Sequence, residues 1–203
     1  IEPSWNVPGS IGCWRGCTLD RAVSNFESFK NHVSVLFWSL GNESYAGDIL
    51  VEMNRYYKEK DPDRLVHYEG VAENRPYEDL ISDMESQMYA PPEKIKEYLE
   101  NNPKKPFILC EYMHDMGNSL GGMESYIRLL DQYEDYQGGF IWDYIDQALF
   151  VKDEVTGRDV LRYGGDFDDR PSDYEFSGNG ILFADRTEKP AMQEVRHYYG
   201  LRR

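Results

Sequence analysis

Short apolar runs alternate with amphipathic segments along the chain, and this alternation constrains the fold more than any other feature. Each run closes on polar residues, as buried strands of parallel sheets do. Strand candidates are the ranges Ser34–Glu43, Arg64–Gly70, Asp79–Tyr89, Pro106–Tyr112 and Gly138–Asp146. Steps of roughly 20–30 residues from strand to strand predict an α/β fold with parallel strands, either a barrel or a doubly wound sheet.

Helical spacing of apolar residues marks the segments between these runs. The helix candidates are Asp20–Lys30, Asp48–Lys60, Pro92–Asn101, Gly122–Tyr136 and Pro190–Tyr199. Val151–Val160 is predicted to form a hairpin around Thr156-Gly157. No G-x-G-x-x-G or Walker loop is present, which removes the usual signal of a doubly wound nucleotide-binding sheet. Five strands cannot close an eight-stranded barrel, so a barrel would be only partly contained in this chain.

Composition excludes several classes of binding partner. The formal net charge of −15 argues against binding to nucleic acid or to an anionic membrane surface. No apolar run approaches the roughly 20 residues of a membrane span. No signal peptide is visible, so we expect a cytoplasmic protein. Cys13, Cys17 and Cys110 are too few to form a disulfide scaffold and are expected to be reduced thiols.

Two carboxylates stand where apolar runs end, Glu43 after "LFWSLGN" and Glu111 after "FILC". Catalytic groups of (β/α)8 barrels occupy the carboxyl ends of strands. Hydrolysis of a glycosidic bond with retention needs a carboxyl pair about 5–5.5 Å apart. From position alone, the same residues could equally be helix caps or salt-bridge partners.

Longer motifs carry a resemblance to a known family. The segments "LFWSLGNES", "FILCEYMHDMGNSLGG", "QGGFIWDYIDQAL", "YGGDFDDRP" and "NGILFADRTEKPA" resemble glycoside hydrolase family 2, in particular its β-galactosidases. The resemblance implies an α/β fold, a partial (β/α)8 TIM barrel. Residues 1–203 would be the C-terminal portion of the catalytic domain, with strands 4 to 8 and their helices present and strands 1 to 3 missing. The implied activity is removal of terminal non-reducing β-D-galactose from lactose-like β-galactosides.

The resemblance also implies roles for individual residues. Glu43 matches the acid/base, Glu111 the nucleophile, and Tyr89 a tyrosine whose phenol could donate to the nucleophile. The matches for binding the sugar are Asn42, His114, Trp142 and Asn179. The Glu111 charge and burial are expected to keep Glu43 protonated until the covalent intermediate forms.

Family members often hold sodium, and its ligands match the backbone oxygen of Phe176 and the side chain of Asn179. Many also hold magnesium through a Glu-x-His motif. Glu2 matches that Glu, but Ser4 stands at the His position, so we expect no tight magnesium site. Three further acidic residues are expected to be structural partners of loops: Asp143, Asp146 and Asp166.

Two rival hypotheses remain. One is another exo-β-glycosidase of the family such as a β-glucuronidase, although the acidic composition disfavours binding of a sugar carboxylate. The other is an inactive fragment, because missing strands would leave sheet edges unpaired and make the isolated chain poorly soluble or molten. The expected partners are a small carbohydrate, the remaining domains of a longer chain and further copies of the intact protein.

Overall fold

The computed structural model describes residues 11–201 of the chain. The strands are β1 (Phe37–Ser39), β2 (Leu65–His67), β3 (Glu85–Met88), β4 (Phe107–Tyr112), β5 (Tyr136–Ile141), β6 (Leu149–Lys152) and β7 (Asp159–Arg162). The α-helices are α1 (Arg15–Phe29), α2 (Asp48–Lys60), α3 (Glu78–Ile81), α4 (Pro92–Glu100), α5 (Met123–Gln132) and α6 (Met192–Gly200). Short 3-10 turns occupy Gly12–Trp14, Glu69–Ala72, Arg75–Tyr77 and Tyr174–Ser177.

Four predicted strand regions contain a strand, the fifth overlaps β5, which begins two residues earlier at Tyr136, and the predicted hairpin forms as the antiparallel pair β6–β7. The five predicted helices are present. The range Gly122–Tyr136 was too long, because α5 ends at Gln132 and Tyr133 takes extended backbone angles. Tyr136 then begins β5 and is buried there. The helix predicted at Asp20 begins earlier, at Arg15.

The sheet strands fall into separate ladders within residues 11–201. β1 and β2 pair in parallel, with Ser39 opposite His67, and β3, β4 and β5 form a three-stranded sheet. Asp83 lies between these ladders. Its Oδ2 accepts the backbone N–H of Val66 at 2.6 Å, and its own N–H donates to the Val66 carbonyl at 2.8 Å. The Asp83 side chain therefore accepts a backbone N–H of β2, as the carbonyl of a neighbouring strand would.

Two compact units divide the chain. The first comprises Ile1–Cys110 with Asp135–Gln137, and the second comprises Glu111–Glu134 with Gly138–Arg203. In the first unit, α1 and α2 contribute to an aromatic core in which Trp38 and Tyr57 stack with ring centroids 5.2 Å apart. The core of the second unit is built on Met123, Ile181, Leu182 and Val195. These cores support the strand ends that carry the predicted site residues.

No described helix combines the length and apolar character that a membrane crossing needs. The three cysteines are free thiols, as expected: Cys13 and Cys17 are exposed and Cys110 is partly buried.

Candidate active site

Glu43 lies four residues beyond the end of β1, in the first unit. Its backbone has a φ of 56°, the left-handed region that side chains with a Cβ rarely adopt. Its side chain is exposed, as is that of Asn42. The burial expected for Glu43 is therefore wrong for this chain. An exposed carboxylate on a disfavoured backbone is typical of a functional position rather than of a core contact.

Three consecutive residues after β2 hold the segment Glu43–Ser44. The hydroxyl of Tyr68 accepts the Ser44 N–H at 3.1 Å and donates to the Ser44 carbonyl at 2.5 Å. Glu69 accepts the backbone N–H of Glu43 on Oε1 at 2.5 Å. At Gly70, an added Cβ would stand 2.1 Å from the Ser44 carbonyl oxygen, so only glycine allows this approach. Tyr68, Glu69 and Gly70 are called the backbone clamp below.

The backbone clamp is deeply buried. Tyr68 is fully buried, and Glu69 is only 6% exposed. Burial, reinforced by the Glu69 charge, raises the pKa of the Tyr68 hydroxyl well above its ordinary value. Tyr68 therefore keeps its proton, and its donor bond to Ser44, at neutral pH.

A cavity of about 240 Å³ lies beside this segment. Glu43, Glu69 and Glu73 contribute to its wall, and so does Met88 at the end of β3. Tyr89 follows Met88 directly, is 38% exposed and has a left-handed φ of 53°. Two residues with predicted catalytic roles in this unit thus share the same unusual backbone state, Tyr89 directly after β3 and Glu43 four residues after β1.

A chain of hydrogen-bonded polar side chains, buried at His67 and Ser86, crosses three strands. His67 contacts the Ser39 hydroxyl at 3.0 Å through Nδ1 and the Ser86 hydroxyl at 2.7 Å through Nε2. Burial lowers the pKa of His67 to about 4. His67 is therefore neutral at physiological pH and acts as a fixed hydrogen-bonding link between strands.

Glu111 lies within β4 and is partly buried, in the second unit. The next residue, Tyr112, fixes this end of the strand. Its hydroxyl lies 2.9 Å from that of Tyr199, and its ring meets Tyr126 edge-on at 5.4 Å. Glu43 and Glu111 belong to different units, so their separation and the contact expected between Tyr89 and Glu111 stay predictions.

The predicted sugar-binding residues of the second unit come together. His114 meets the ring of Phe176 edge-on at 6.1 Å. Trp142, 36% exposed, receives the N–H of Asp115 on its carbonyl at 2.9 Å. The carbonyl of Asn179 accepts the N–H of the residue after Trp142 at 2.8 Å. Residues far apart in sequence thus form one cluster, with the rings of Trp142 and Phe176 partly open to solvent.

Asn179 and Phe176 suit a hard cation in part. Asn179 is 4% exposed, and within residues 11–201 its Oδ1 is buried without a hydrogen-bond partner. Its Nδ2 donates to the Phe176 carbonyl. Two oxygens of the kind that sodium prefers are therefore adjacent. In the part of the chain that the structure describes, no three His, Cys, Asp or Glu side chains could hold a metal ion. Glu2 and Ser4 lie outside the described residues.

The acidic residues predicted to support loops do so. Asp146 Oδ1 accepts the Gly180 N–H and the Lys189 ammonium, both at 2.8 Å. Asp143 accepts the N–H of Tyr144 at 2.5 Å, and Asp166 accepts that of Tyr163 at 3.1 Å.

Asp115 is a buried carboxyl that the sequence did not single out. It is fully buried and accepts the Leu120 N–H at 3.3 Å. Burial raises its pKa, and the nearby Lys189 opposes that effect. It follows His114 directly and thereby helps to fix the loop that carries the predicted sugar ligand.

Comparison with known families decides the family. The model described as "Glycosyl hydrolases family 2, TIM barrel domain" matches residues 1–202. The chain belongs to glycosyl hydrolase family 2. The α/β architecture with its parallel β1–β2 pair is thus that of the family's TIM barrel domain.

Relatives in family 2 are close in sequence. A protein of Latilactobacillus sakei named β-galactosidase large subunit is 73% identical over 200 residues, 98% of this chain and 32% of the relative. The Lactobacillus helveticus protein of the same name is 69% identical over 99% of the chain and 32% of the relative. A β-galactosidase of Halalkalibacterium halodurans is 60% identical over 98% of the chain and 19% of the relative. The chain spans about a third or less of these relatives.

Two solved structures share the fold. A β-glucuronidase of Bacteroides uniformis aligns with a TM-score of 0.63 and 18% identity, over 95% of this chain and 26% of that chain. A β-galacturonidase from Eisenbergiella tayi bound to galacturonate aligns with a TM-score of 0.58 and 14% identity, over 94% of this chain and 37% of that chain. At this identity the likeness establishes the fold alone.

Sequence reasoning missed Glu69, although a signal was present. Glu69 follows β2 just as Glu43 follows β1, so the strand-end rule that selected Glu43 also applies to it. The motifs that resemble family 2 do not include Glu69. For Asp115, by contrast, no local pattern distinguishes a buried carboxyl from an ordinary loop residue.

Proposed function

We propose that this domain catalyses hydrolysis of terminal β-D-galactose residues, with retention, as the catalytic core of a β-galactosidase. The observation that carries the proposal is the 73% identity to a relative named β-galactosidase large subunit, over 98% of the chain. On this proposal β1 to β5 are strands 4 to 8 of the barrel, and the chain is the C-terminal portion of the catalytic domain. Strands 1 to 3 then come from the rest of the protein.

In the proposed mechanism, a Glu111 oxygen attacks the anomeric carbon while the bond to the leaving oxygen breaks. Glu43 donates its proton to that oxygen. With Glu111 esterified and neutral, Glu43 takes a proton from water, and the water attacks the same carbon and releases Glu111. Tyr89 donates a hydrogen bond to Glu111 and helps its departure. Left-handed backbone at both Glu43 and Tyr89 supports their assignment to the site.

Sugar recognition is assigned to Asn42 in the first unit and to His114, Trp142 and Asn179 in the second. Trp142 is 36% exposed, and an aromatic ring of this kind can pack against an apolar sugar face. A sodium ion is proposed at the Phe176 carbonyl and Asn179 Oδ1, and the buried, unbonded state of that Oδ1 among the described residues supports this. When bound, the ion would supply positive charge for a sugar hydroxyl. Magnesium is not part of the proposal.

The proposed partners are the remaining segments of a longer protein. Two relatives are named "large subunit", which supports association with a second polypeptide, and the chain spans about a third of their length, which supports further segments on the same chain.

Trapping of the covalent intermediate tests the proposed function. The intact enzyme is treated with a 2-deoxy-2-fluoro-galactosyl donor that carries a good leaving group, and its peptides are mapped by mass spectrometry. The expected label lies on Glu111. Glu111→Gln should lower turnover of nitrophenyl galactoside by several orders of magnitude, whereas Glu124→Gln, at an exposed ion pair on α5, should not change it.

A label on a different carboxylate would overturn the role of Glu111. A higher rate on nitrophenyl glucuronide than on the galactoside would overturn the choice of sugar and favour the glucuronidase alternative. Retention itself is read from the anomer released first, by NMR.

A further inference from the structure

A buried carboxylate faces the backbone of the proposed acid/base. Glu69 is 6% exposed, and its Oε1 accepts the Glu43 N–H at 2.5 Å. Burial of a carboxylate is costly unless hydrogen bonds replace its hydration. A bond from an amide to a carboxylate is also roughly twice as strong as a bond between neutral groups. Glu69 therefore anchors the Glu43 amide more firmly than a neutral acceptor would.

Glu43 needs such an anchor because its backbone is in a disfavoured state. The left-handed conformation is sterically disfavoured for a residue with a Cβ. It persists only where surrounding contacts over-determine it. Exposure of the Glu43 side chain means that core packing does not fix the carboxyl group. The backbone that the clamp holds sets the direction of the Cα–Cβ bond, and with it the region that the carboxyl group can reach.

The remaining clamp contacts agree with this reading. Tyr68 bonds both backbone groups of Ser44, and Gly70 packs against the same carbonyl. The carbonyl of Gly70 also accepts the Ala46 N–H at 3.4 Å. Three consecutive residues after β2 thus contact the backbone that follows β1, and only Glu69 bonds Glu43 itself.

We propose that Glu69 is a positioning residue for proton transfer, which orients Glu43 by holding its backbone amide. The proposal rests on the proposed function, in which Glu43 is the acid/base. Glu69 also lines the cavity beside Glu43, so the proposal assigns its effect to the Glu43 backbone rather than to contact with the reacting atoms. A displacement of about 1 Å in a catalytic group can cost about 100-fold in rate. Loss of the Glu69 bond should therefore impair the steps that need Glu43 and spare the step that does not.

The test uses leaving-group dependence in the intact enzyme. Values of kcat/KM are measured for lactose, whose leaving group needs a proton, and for 2,4-dinitrophenyl galactoside, whose leaving group does not. Glu69→Ala should lower kcat/KM for lactose by about 100-fold and for the dinitrophenyl substrate by less than about three-fold. Glu69→Gln keeps an acceptor oxygen but loses the charge, so its loss on lactose should be about three- to ten-fold. Azide should restore turnover of the dinitrophenyl substrate by Glu69→Ala, with galactosyl azide as product.

A matched control separates positioning from simple stability. Glu85 is 4% exposed, lies in the same unit and forms a bidentate ion pair with Arg75. Glu85→Gln should lower the thermal midpoint without changing the ratio of the two kcat/KM values. Equal losses on both substrates in the Glu69 variants, or no loss on either, would overturn the proposal. If Glu69→Ala does not fold, Glu69→Gln provides the test. An unchanged ratio of its two kcat/KM values would overturn the proposal.

The same two kcat/KM values are measured for Glu43→Gln, so that the acid/base role of Glu43 and the positioning role of Glu69 can be tested independently. If Glu43→Gln shows no leaving-group dependence, the role of Glu43 in the proposed function fails. If it shows that dependence and the Glu69 variants do not, the proposed function stands and the positioning role fails.

Discussion

Replacement of Tyr68 by Phe removes a single oxygen atom that bonds both backbone groups of Ser44. The ring stays, so the packing of the core should be kept. The Ser44 N–H at 3.1 Å and the Ser44 carbonyl at 2.5 Å both lose their partner. Tyr68 is fully buried and Ser44 is 7% exposed, so water cannot readily replace the hydroxyl.

The expected cost follows from these contacts. A buried polar group left without a partner costs about 1–3 kcal/mol. Two such groups that share one hydroxyl should cost about 2 kcal/mol or more, because they can relax together. Since every 1.4 kcal/mol is tenfold, local opening around Ser44 should become about 30-fold more frequent.

Hydrogen exchange in the intact enzyme measures this opening directly. The Ser44 amide, followed by mass spectrometry on peptides that span residues 40–46, should exchange about 30-fold faster in Tyr68→Phe. Tyr57→Phe is the matched control. Tyr57 is 1% exposed, and its hydroxyl accepts only a side-chain bond, from Asn25 at 3.0 Å. Its loss should lower overall stability by about 1 kcal/mol and leave the exchange of Ser44 unchanged.

Two results would refute the reasoning. Unchanged exchange at Ser44 in Tyr68→Phe would mean that the hydroxyl does not hold this segment. An equal increase in the exchange rate of the Ser44 amide in both variants would mean that the effect reflects general loosening of the aromatic core.

Two further predictions concern buried charge. Burial lowers the pKa of His67 to about 4, against 6.5 in the unfolded chain. Between these values only the unfolded state binds the proton, so stability should fall by up to ~3 kcal/mol as pH drops from 6.5 to 4. His67→Gln should flatten the pH dependence of the urea midpoint, and His32→Gln, at an exposed position, should not. Equal slopes of urea midpoint against pH in the unchanged protein and both variants would contradict this prediction. Lys189→Met leaves the Asp146 carboxylate without its buried cation and should cost about 3–5 kcal/mol in thermal unfolding, against less than ~1 kcal/mol for Lys152→Met at an exposed pair. Similar losses for both lysines would argue against a buried pair.

Elements with a strong local pattern were predictable from the sequence. The bounds of α2 match the predicted range, and α4 differs by one residue, because apolar periodicity and a proline start are local signals. The end of α5 was wrong for a physical reason. Tyr133 continues the helical spacing, yet burial of Tyr136 in β5 draws the chain into extended geometry. The four-residue α3 was missed, since so short a helix has no periodicity to detect.

Candidate catalytic residues were found by a positional rule and a family resemblance, and neither could reveal how they are held. The contact of Glu69 with Glu43 spans 26 residues of sequence, and that of Tyr68 with Ser44 spans 24. A hydrogen bond to a backbone amide leaves no pattern in side-chain types. Only Gly70 gives a partial hint, since an isolated glycine after a strand often marks close backbone approach.

Glu43 and Glu69 both follow neighbouring parallel strands, four residues after β1 and two residues after β2, yet their environments differ. The side chain of Glu43 is exposed, and that of Glu69 is buried against the Glu43 amide. On the proposed roles, the exposed Glu43 carboxyl acts on the substrate, and the buried Glu69 carboxylate acts through the chain segment whose amide it holds. A polar residue at a barrel strand end therefore has two possible functions, chemistry or positioning. Burial and the bonding partner distinguish them, and strand position alone does not.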